Sequence, residues 1–290
     1  MPERVVVRVP ATVANLGPGF DCLGLALAWH NQVTVERAEQ LEITAAGPGA
    51  DRIARDETNL VVRGLAAVCG ELPAVRIHQM ISIPFGRGFG SSAAAIVAGV
   101  VAGRALTASD HSDLDLVWIA TDLEGHPDNA APCLLGGVTV VAGRALVRLQ
   151  PPPAWRVLVC VAPGRFATEA ARAALPEQLS RADAVATSSR ASLLSAALAT
   201  GSADVLMTAT EDVLHQPARF ALMPDAADLV RALRAEGVAA FLSGAGPSVA
   251  AIIPGDASNA MDVVRARVPD GWEVRSEAIE PSAATVVESR

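Results

Sequence analysis

PFGRGFGSSAAAIVAG, residues 84–99, sets glycine at every second position (Gly86, Gly88, Gly90), then two serines, then a run of small apolar residues. Glycines let a backbone approach a ligand closely and take positive φ. A helix starting at the serines would leave its first N–H groups unbonded and carry partial positive charge, which together favour a bound anion such as phosphate. Hydroxyls in the first turn can bond phosphate oxygens or ligate Mg²⁺. Two other readings compete. Ser91 or Ser92 can be a plain helix cap after a glycine turn. Gly88, Gly90 and Ala93 also fit the loose dinucleotide pattern, with Asp110 about 20 residues on. That fold needs a strand after the helix, and a second helix starting near Ser112 is the reading here.

The rest of the chain narrows the chemistry. It has 290 residues, 51% hydrophobic and 19% charged, enough for one large domain or two ordinary ones with a substantial core. The net charge of −8 argues against a nucleic-acid scaffold, though local arginines can still hold an anionic substrate. Cys22, Cys69, Cys133 and Cys160 are far apart in sequence, so neither a zinc site nor a disulfide frame is indicated, and reduced thiols in a cytoplasmic protein are expected. No apolar run is suited to span a bilayer, and the N-terminus lacks the pattern of a secretion signal. All 23 basic residues are arginine. Schiff-base chemistry, a Walker-A loop and a protein-kinase strand lysine are therefore excluded.

Strand and helix patterns do not alternate strictly, so the fold class is α+β rather than a doubly wound parallel sheet. Residues 4–36 read as a strand, a glycine-rich loop, a strand or short helix, and a strand. Helices are expected after Asn59 or Thr58, from about Ser92 to Leu106, and after Ser112. A hairpin follows at 136–150. PPPAW, residues 151–155, marks a boundary between an N-terminal domain, 1–152, and a C-terminal domain, 153–290. Beyond it come a buried strand, a long helical region, a strand–glycine turn–strand or helix unit around 239–255, and a last strand or two.

Taken in order, five blocks resemble the GHMP family of small-molecule kinases. PFGRGFGSSAAA resembles its phosphate loop P-x-x-x-G-L-G-S-S-A-A, with Phe89 where leucine is usual. LSGAGPSV, 242–249, resembles its C-terminal glycine motif. PATVANLGPGFDCLGLAL, 10–27, LEGHPDNAAPCLLGG, 123–137, and LHQPARFALMP, 214–224, are similar to the branch whose acceptor is the amino acid L-homoserine. The resemblance implies a two-domain fold, an N-terminal ribosomal protein S5 domain 2-like part and a C-terminal ferredoxin-like α/β sandwich. It also implies phosphoryl transfer from ATP to the homoserine side-chain hydroxyl, a step of threonine biosynthesis, by a cytoplasmic homodimer.

Residue roles follow from the same resemblance. Pro84, Gly86, Arg87, Gly88, Phe89, Gly90, Ser91, Ser92, Gly244 and Gly246 would hold ATP. Ser92 and Glu124 would hold Mg²⁺, with oxygen donors of the kind that hard ion prefers. Asp21 would bind the substrate amino group, with Asn15, His126, Asp128, Asn129 and Thr168 around it. Arg172 and Arg219 would grip the carboxylate, a task suited to the planar guanidinium fork. Read without the resemblance, Arg172 and Arg219 are surface charges, Thr168 is a helix cap, and Asp128 satisfies backbone N–H groups in a loop. Glu124, Ser92 and Asn129 are the expected catalytic group, and no dedicated base is assigned because a loose transition state can be served by positioning and charge neutralisation. Another GHMP kinase, or a non-catalytic ATP-binding relative, are the alternatives.

Overall fold

A computed structural model describes residues 2–70, 72, 74–255 and 258–290. The chain runs β1 (Arg4–Ala14), β2 (Leu23–Arg37), β3 (Glu42–Ala46), α1 (Leu60–Cys69), β4 (Val75–Met80), α2 (Ser91–Thr107), α3 (Asp113–Glu124), α4 (Pro127–Leu135), β5 (Val138–Ala142) and β6 (Ala145–Leu149). It continues with β7 (Arg156–Val161), α5 (Thr168–Ala173), α6 (Arg181–Thr200), α7 (Leu206–Ala209), α8 (Gln216–Phe220), α9 (Pro224–Ala235), β8 (Ala240–Leu242), β9 (Val249–Ile253), α10 (Ser258–Arg267), β10 (Glu273–Ala278) and β11 (Thr285–Ser289).

Among the described residues the strands form two sheets. The first follows β11-β1-β2-β4-β3, with β5 pairing β2 and β6 pairing β5. The second follows β10-β7-β9-β8, an antiparallel sheet in the ferredoxin-like order. The α+β class holds. The sheets change over at 150–156, where PPPAW lies, but β11 returns and pairs antiparallel with β1. A division at 152 therefore cuts the first sheet away from its own last strand. Residues 23–37 also form one strand, not a strand or short helix followed by another. The early part of β2 pairs β5 and the late part pairs β4, so one long strand serves two neighbours.

The two sheets share a core. Along β7, Val157, Val159 and Val161 join the cluster of the first sheet and its helices. Leu158 and Cys160 join a second cluster under α9 and α10. This strand is buried on both faces, which is why its sequence is apolar without alternation. Helix α2 is central and buried on most sides. Its N-terminus, where the glycines end, opens into a cleft between the halves.

Candidate active site

The cleft has a volume of about 320 Å³ and is lined from both halves. Its floor is the phosphate-loop stretch. Gly90 is the N-cap of α2 at φ 63°, so neither Ser91 nor Ser92 caps the helix. A Cβ on Gly90 would lie 2.0 Å from Thr12 Oγ1, and one on Gly88, at φ +85°, would lie 2.1 Å from the Ser243 carbonyl oxygen. These two positions need glycine because of positive φ and close neighbours together. Ser243 Oγ donates to Gly88 O at 2.7 Å, tying the loop to the glycine turn of the second half. Gly244, Ala245 and Gly246 of that turn line the same cleft.

Two of the residues expected to hold ATP do not line this cleft. Pro84 is buried and does not line the cleft. Arg87 does not line it either and donates to Pro163 O at 2.8 Å, so it joins the loop to the chain after β7. Phe89 contributes backbone to the cleft, while its ring is buried 5.4 Å from Trp29.

Helices α3 and α4 supply the polar wall. The N-terminus of α3 is fixed by a capping box between Ser112 and Asp115, and the helix ends with Glu124 before Gly125. Ser92 Oγ donates to Glu124 Oε2 at 2.6 Å. Burial pushes the Glu124 carboxyl up, partly offset by that hydrogen bond. HPDN, read from sequence as a polar loop, is instead the start of α4, with Pro127 in its first turn and Pro132 inside. Asp128 does not satisfy loop N–H groups. Its carboxylate lies 2.7 Å from His126 Nδ1 and 3.4 Å from Asn129 Nδ2. Burial opposes charging of His126, but the hydrogen bond to Asp128 and the nearby acids raise its pKa overall. Thr12, absent from the expected site, donates to Asn129 Oδ1 at 2.7 Å and fixes that side chain.

The turn from β1 to β2 holds Asn15, Leu16 and Asp21 in the left-handed region, at φ 68°, 50° and 56°. Such conformations cost about 1 kcal/mol or more for non-glycine residues and persist where surroundings impose them. Asn15 does so here. Its amide donates to Gly244 O at 3.1 Å and accepts from Asp21 N at 3.1 Å. Asp21 then forms a two-pronged pair with Arg172, both contacts at 2.8 Å. Thr168 is the first residue of α5, and Ala167, not Thr168, occupies the cap position.

Arg219 departs most from a surface charge. It is 2% exposed. Its Nη1 donates to Gly244 O at 3.0 Å and to His215 Nδ1 at 3.1 Å, and its Nε is 3.5 Å from Ala171 O. No carboxylate among the described residues pairs with it, and its Nη2 makes no hydrogen bond within them. Burial lowers its pKa, and Arg172 lowers it further. The cleft thus brings together Asn15, Asp21, His126, Asp128, Asn129, Thr168, Arg172 and Arg219 beside the glycine loop. Arg63, Phe166 and Glu169 also line it and were not expected. A helix-face argument alone does not separate them from surface residues.

Known proteins match this arrangement. The GHMP kinases N terminal domain matches residues 59–137 and the GHMP kinases C terminal domain matches residues 191–270. A homoserine kinase of Streptomyces coelicolor is 43% identical over 98% of this chain and 94% of its own length. A homoserine kinase of Streptomyces avermitilis is 43% identical over 98% of this chain and 95% of its own. The crystal structure of homoserine kinase from Cytophaga hutchinsonii superposes with a TM-score of 0.86 at 28% identity, covering 99% of this chain and 98% of that one. Fold and site define an ATP-dependent phosphotransferase that acts on a hydroxyl group. The chain belongs to the GHMP kinase family. No helix among the described residues is long and apolar enough to cross a membrane.

Proposed function

We propose that this protein phosphorylates the side-chain hydroxyl of L-homoserine with ATP, giving O-phospho-L-homoserine and ADP, and so serves threonine biosynthesis. One observation carries the reading: a buried guanidinium without a carboxylate partner, Arg219, faces the same cleft as the anion Asp21 and the phosphate loop. A free amino acid is a zwitterion. Its carboxylate would complete Arg219 and Arg172, and its ammonium would meet Asp21. Arg172 and Asp21, paired with each other at 2.8 Å, are then separated by, or shared with, charges of the matching sign. Sugars and simple alcohols carry no charges to match them. The near full-length similarity to homoserine kinases points the same way.

The phosphates of ATP would rest on the loop 86–92 and the open N–H groups at the start of α2. Ser92 and Glu124 fit a magnesium ion. They are oxygen donors already 2.6 Å apart, and among the described residues no cluster of three or more His, Cys, Asp or Glu offers a complete protein cage. That suits an ion that takes few protein ligands and fills its shell with phosphate oxygens and water. Mg²⁺ held there would neutralise charge on the transferring phosphoryl group. The chain's own residues position the rest. Thr12 fixes Asn129, which would face the acceptor, and Asp128 pairs with His126, so positioning and charge neutralisation would carry the rate without an assigned base. The dispersed thiols fit a reducing cytoplasm, and a homodimer is the state that the family resemblance implies.

The test is ADP release from ATP and Mg²⁺ with homoserine, serine, threonine, mevalonate and galactose in turn. Selective turnover of homoserine supports the proposal. Preference for mevalonate or galactose would replace it with another GHMP kinase activity, and no turnover at all would favour a non-catalytic ATP-binding role.

A further inference from the structure

His215 is fully buried beneath the cleft, between the two segments that carry its charges. Its position is set by Asp212, whose carboxylate accepts the backbone N–H groups of Leu214, His215 and Gln216 at 2.7–3.0 Å. The ring packs 5.4 Å from Phe20, and Phe20 in turn lies 5.3 Å beneath both Arg172 and Arg219. Each ring nitrogen has a partner with one possible role. Gly17 O, 2.8 Å from Nε2, and the buried Asp212 carboxylate, 3.5 Å from it, can only accept. Arg219 Nη1, 3.1 Å from Nδ1, can only donate. The imidazole therefore carries its hydrogen on Nε2 and offers a lone pair at Nδ1. Because Nη1 is held from two sides, by His215 and by Gly244 O, the free Nη2 is aimed by the same contacts.

We propose that His215 is a positioning residue of the acceptor site: one neutral ring holds the Arg219 guanidinium through Nδ1 and the Asn15–Asp21 turn through Nε2, and so, beside the link through Gly244 O and Asn15, fixes the spacing between the cation and the anion that meet the substrate. This rests on the reading of Arg219 as the carboxylate partner of homoserine. A buried hydrogen-bonded ring suits the task because it cannot swing and has no solvent competitor. The contact spans both halves of the chain, from the turn after β1 to α8. Loss of the ring would leave Arg219 inside the fold on Gly244 O and the longer Ala171 O contact alone, with more room to tilt, and a two-pronged contact tolerates little tilt.

Three variants and one spectrum test it. His215→Leu keeps the volume and removes both hydrogen bonds. Its homoserine KM should rise tenfold or more, with kcat within about threefold and the ATP KM unchanged. His215→Asn places an amide oxygen near the Nδ1 position and should recover most of that loss. A purely structural role would instead lower kcat and raise both KM values together, with no rescue by asparagine. An unchanged homoserine KM in a folded His215→Leu protein overturns the proposal. If that variant does not fold, the ¹⁵N spectrum of labelled wild type decides, since a hydrogen on Nδ1 would contradict the assignment and one on Nε2 only would support it. Arg219→Ala run alongside separates two failures. Loss there with normal His215→Leu sinks His215 alone, while normal kinetics in both sinks the reading of the acceptor site.

Discussion

Truncating Arg219 to alanine should separate substrates by their carboxylate. In the free protein this guanidinium is 2% exposed and spends its hydrogen bonds on Gly244 O and His215. A bound carboxylate would be its ionic partner in a site shielded from water. Cutting one member of such a pair costs about 2–5 kcal/mol, much of it from stranding the other charge. At about 1.4 kcal/mol per factor of ten, kcat/KM for homoserine should fall from roughly 30-fold to several thousandfold. The glycine loop and the start of α2 remain, so ATP binding should hold. Folding should survive, because the variant also removes a buried charge whose pKa is lowered by burial. Arg219→Lys should restore only part of the loss, since an ammonium lacks the planar fork. The assay is coupled ADP release with homoserine and with 3-aminopropan-1-ol, which keeps the hydroxyl and the amine but has no carboxylate. Wild type should use the amino alcohol poorly, and Arg219→Ala should use it no worse. An equal loss on both acceptors would refute the reasoning and leave Arg219 with a structural role.

Three other substitutions probe the remaining parts. Glu124→Gln should lower kcat by roughly a hundredfold or more by removing the charge proposed to hold magnesium. Because burial raises the Glu124 pKa, the fold disfavours the ionised acid, so in the absence of Mg²⁺ the same variant should melt at a higher temperature than wild type near pH 7, and a lower melting point would contradict this. In the metal-free protein the Glu124 carboxyl should therefore protonate at a higher pH than an ordinary glutamate, and added Mg²⁺ should carry that titration down, both read by NMR titration. Gly90→Ala should weaken ATP binding by roughly tenfold or more, since its Cβ would lie 2.0 Å from Thr12 Oγ1 at positive φ, and unchanged calorimetric affinity would reduce the loop to a turn. Asn59→Ala should cost about 1 kcal/mol in chemical unfolding. Asn59 accepts from Val61 N at 2.9 Å and donates to Ala54 O at 2.7 Å, and an unchanged midpoint would mean that water replaces both bonds.

What the sequence makes legible here is local chemistry. The glycine loop, the start of α2 and the Ser112 cap are each determined by a few adjacent residues, and they appear within one residue of where their patterns place them. Burial decided by distant chain does not show. QPARF has the look of a surface turn, and only the packing of α8 beneath Gly244 and Phe20 buries its arginine. HPDN reads as loop because Pro, Asp and Asn disfavour helix interiors, yet Pro127 suits a first helical turn and Asp128 is paired with His126. The short pattern of β11 shows a strand but not which sheet accepts it, since pairing with β1 spans almost the whole chain. The opposite charges at Asp21 and Arg172 are visible as residue types. That they meet in two 2.8 Å contacts depends on the left-handed turn that Asn15 anchors to the second half.

The central claim is that the cleft transfers phosphate to the side-chain oxygen of a zwitterionic amino acid. The most direct measurement is the ³¹P and ¹H spectrum of the product formed from ATP, Mg²⁺ and L-homoserine. A phosphate monoester coupled to the terminal CH₂ protons of homoserine, appearing in step with ADP, is the predicted result. ADP accompanied only by inorganic phosphate, or no phosphorylated homoserine while another alcohol is converted, would contradict it.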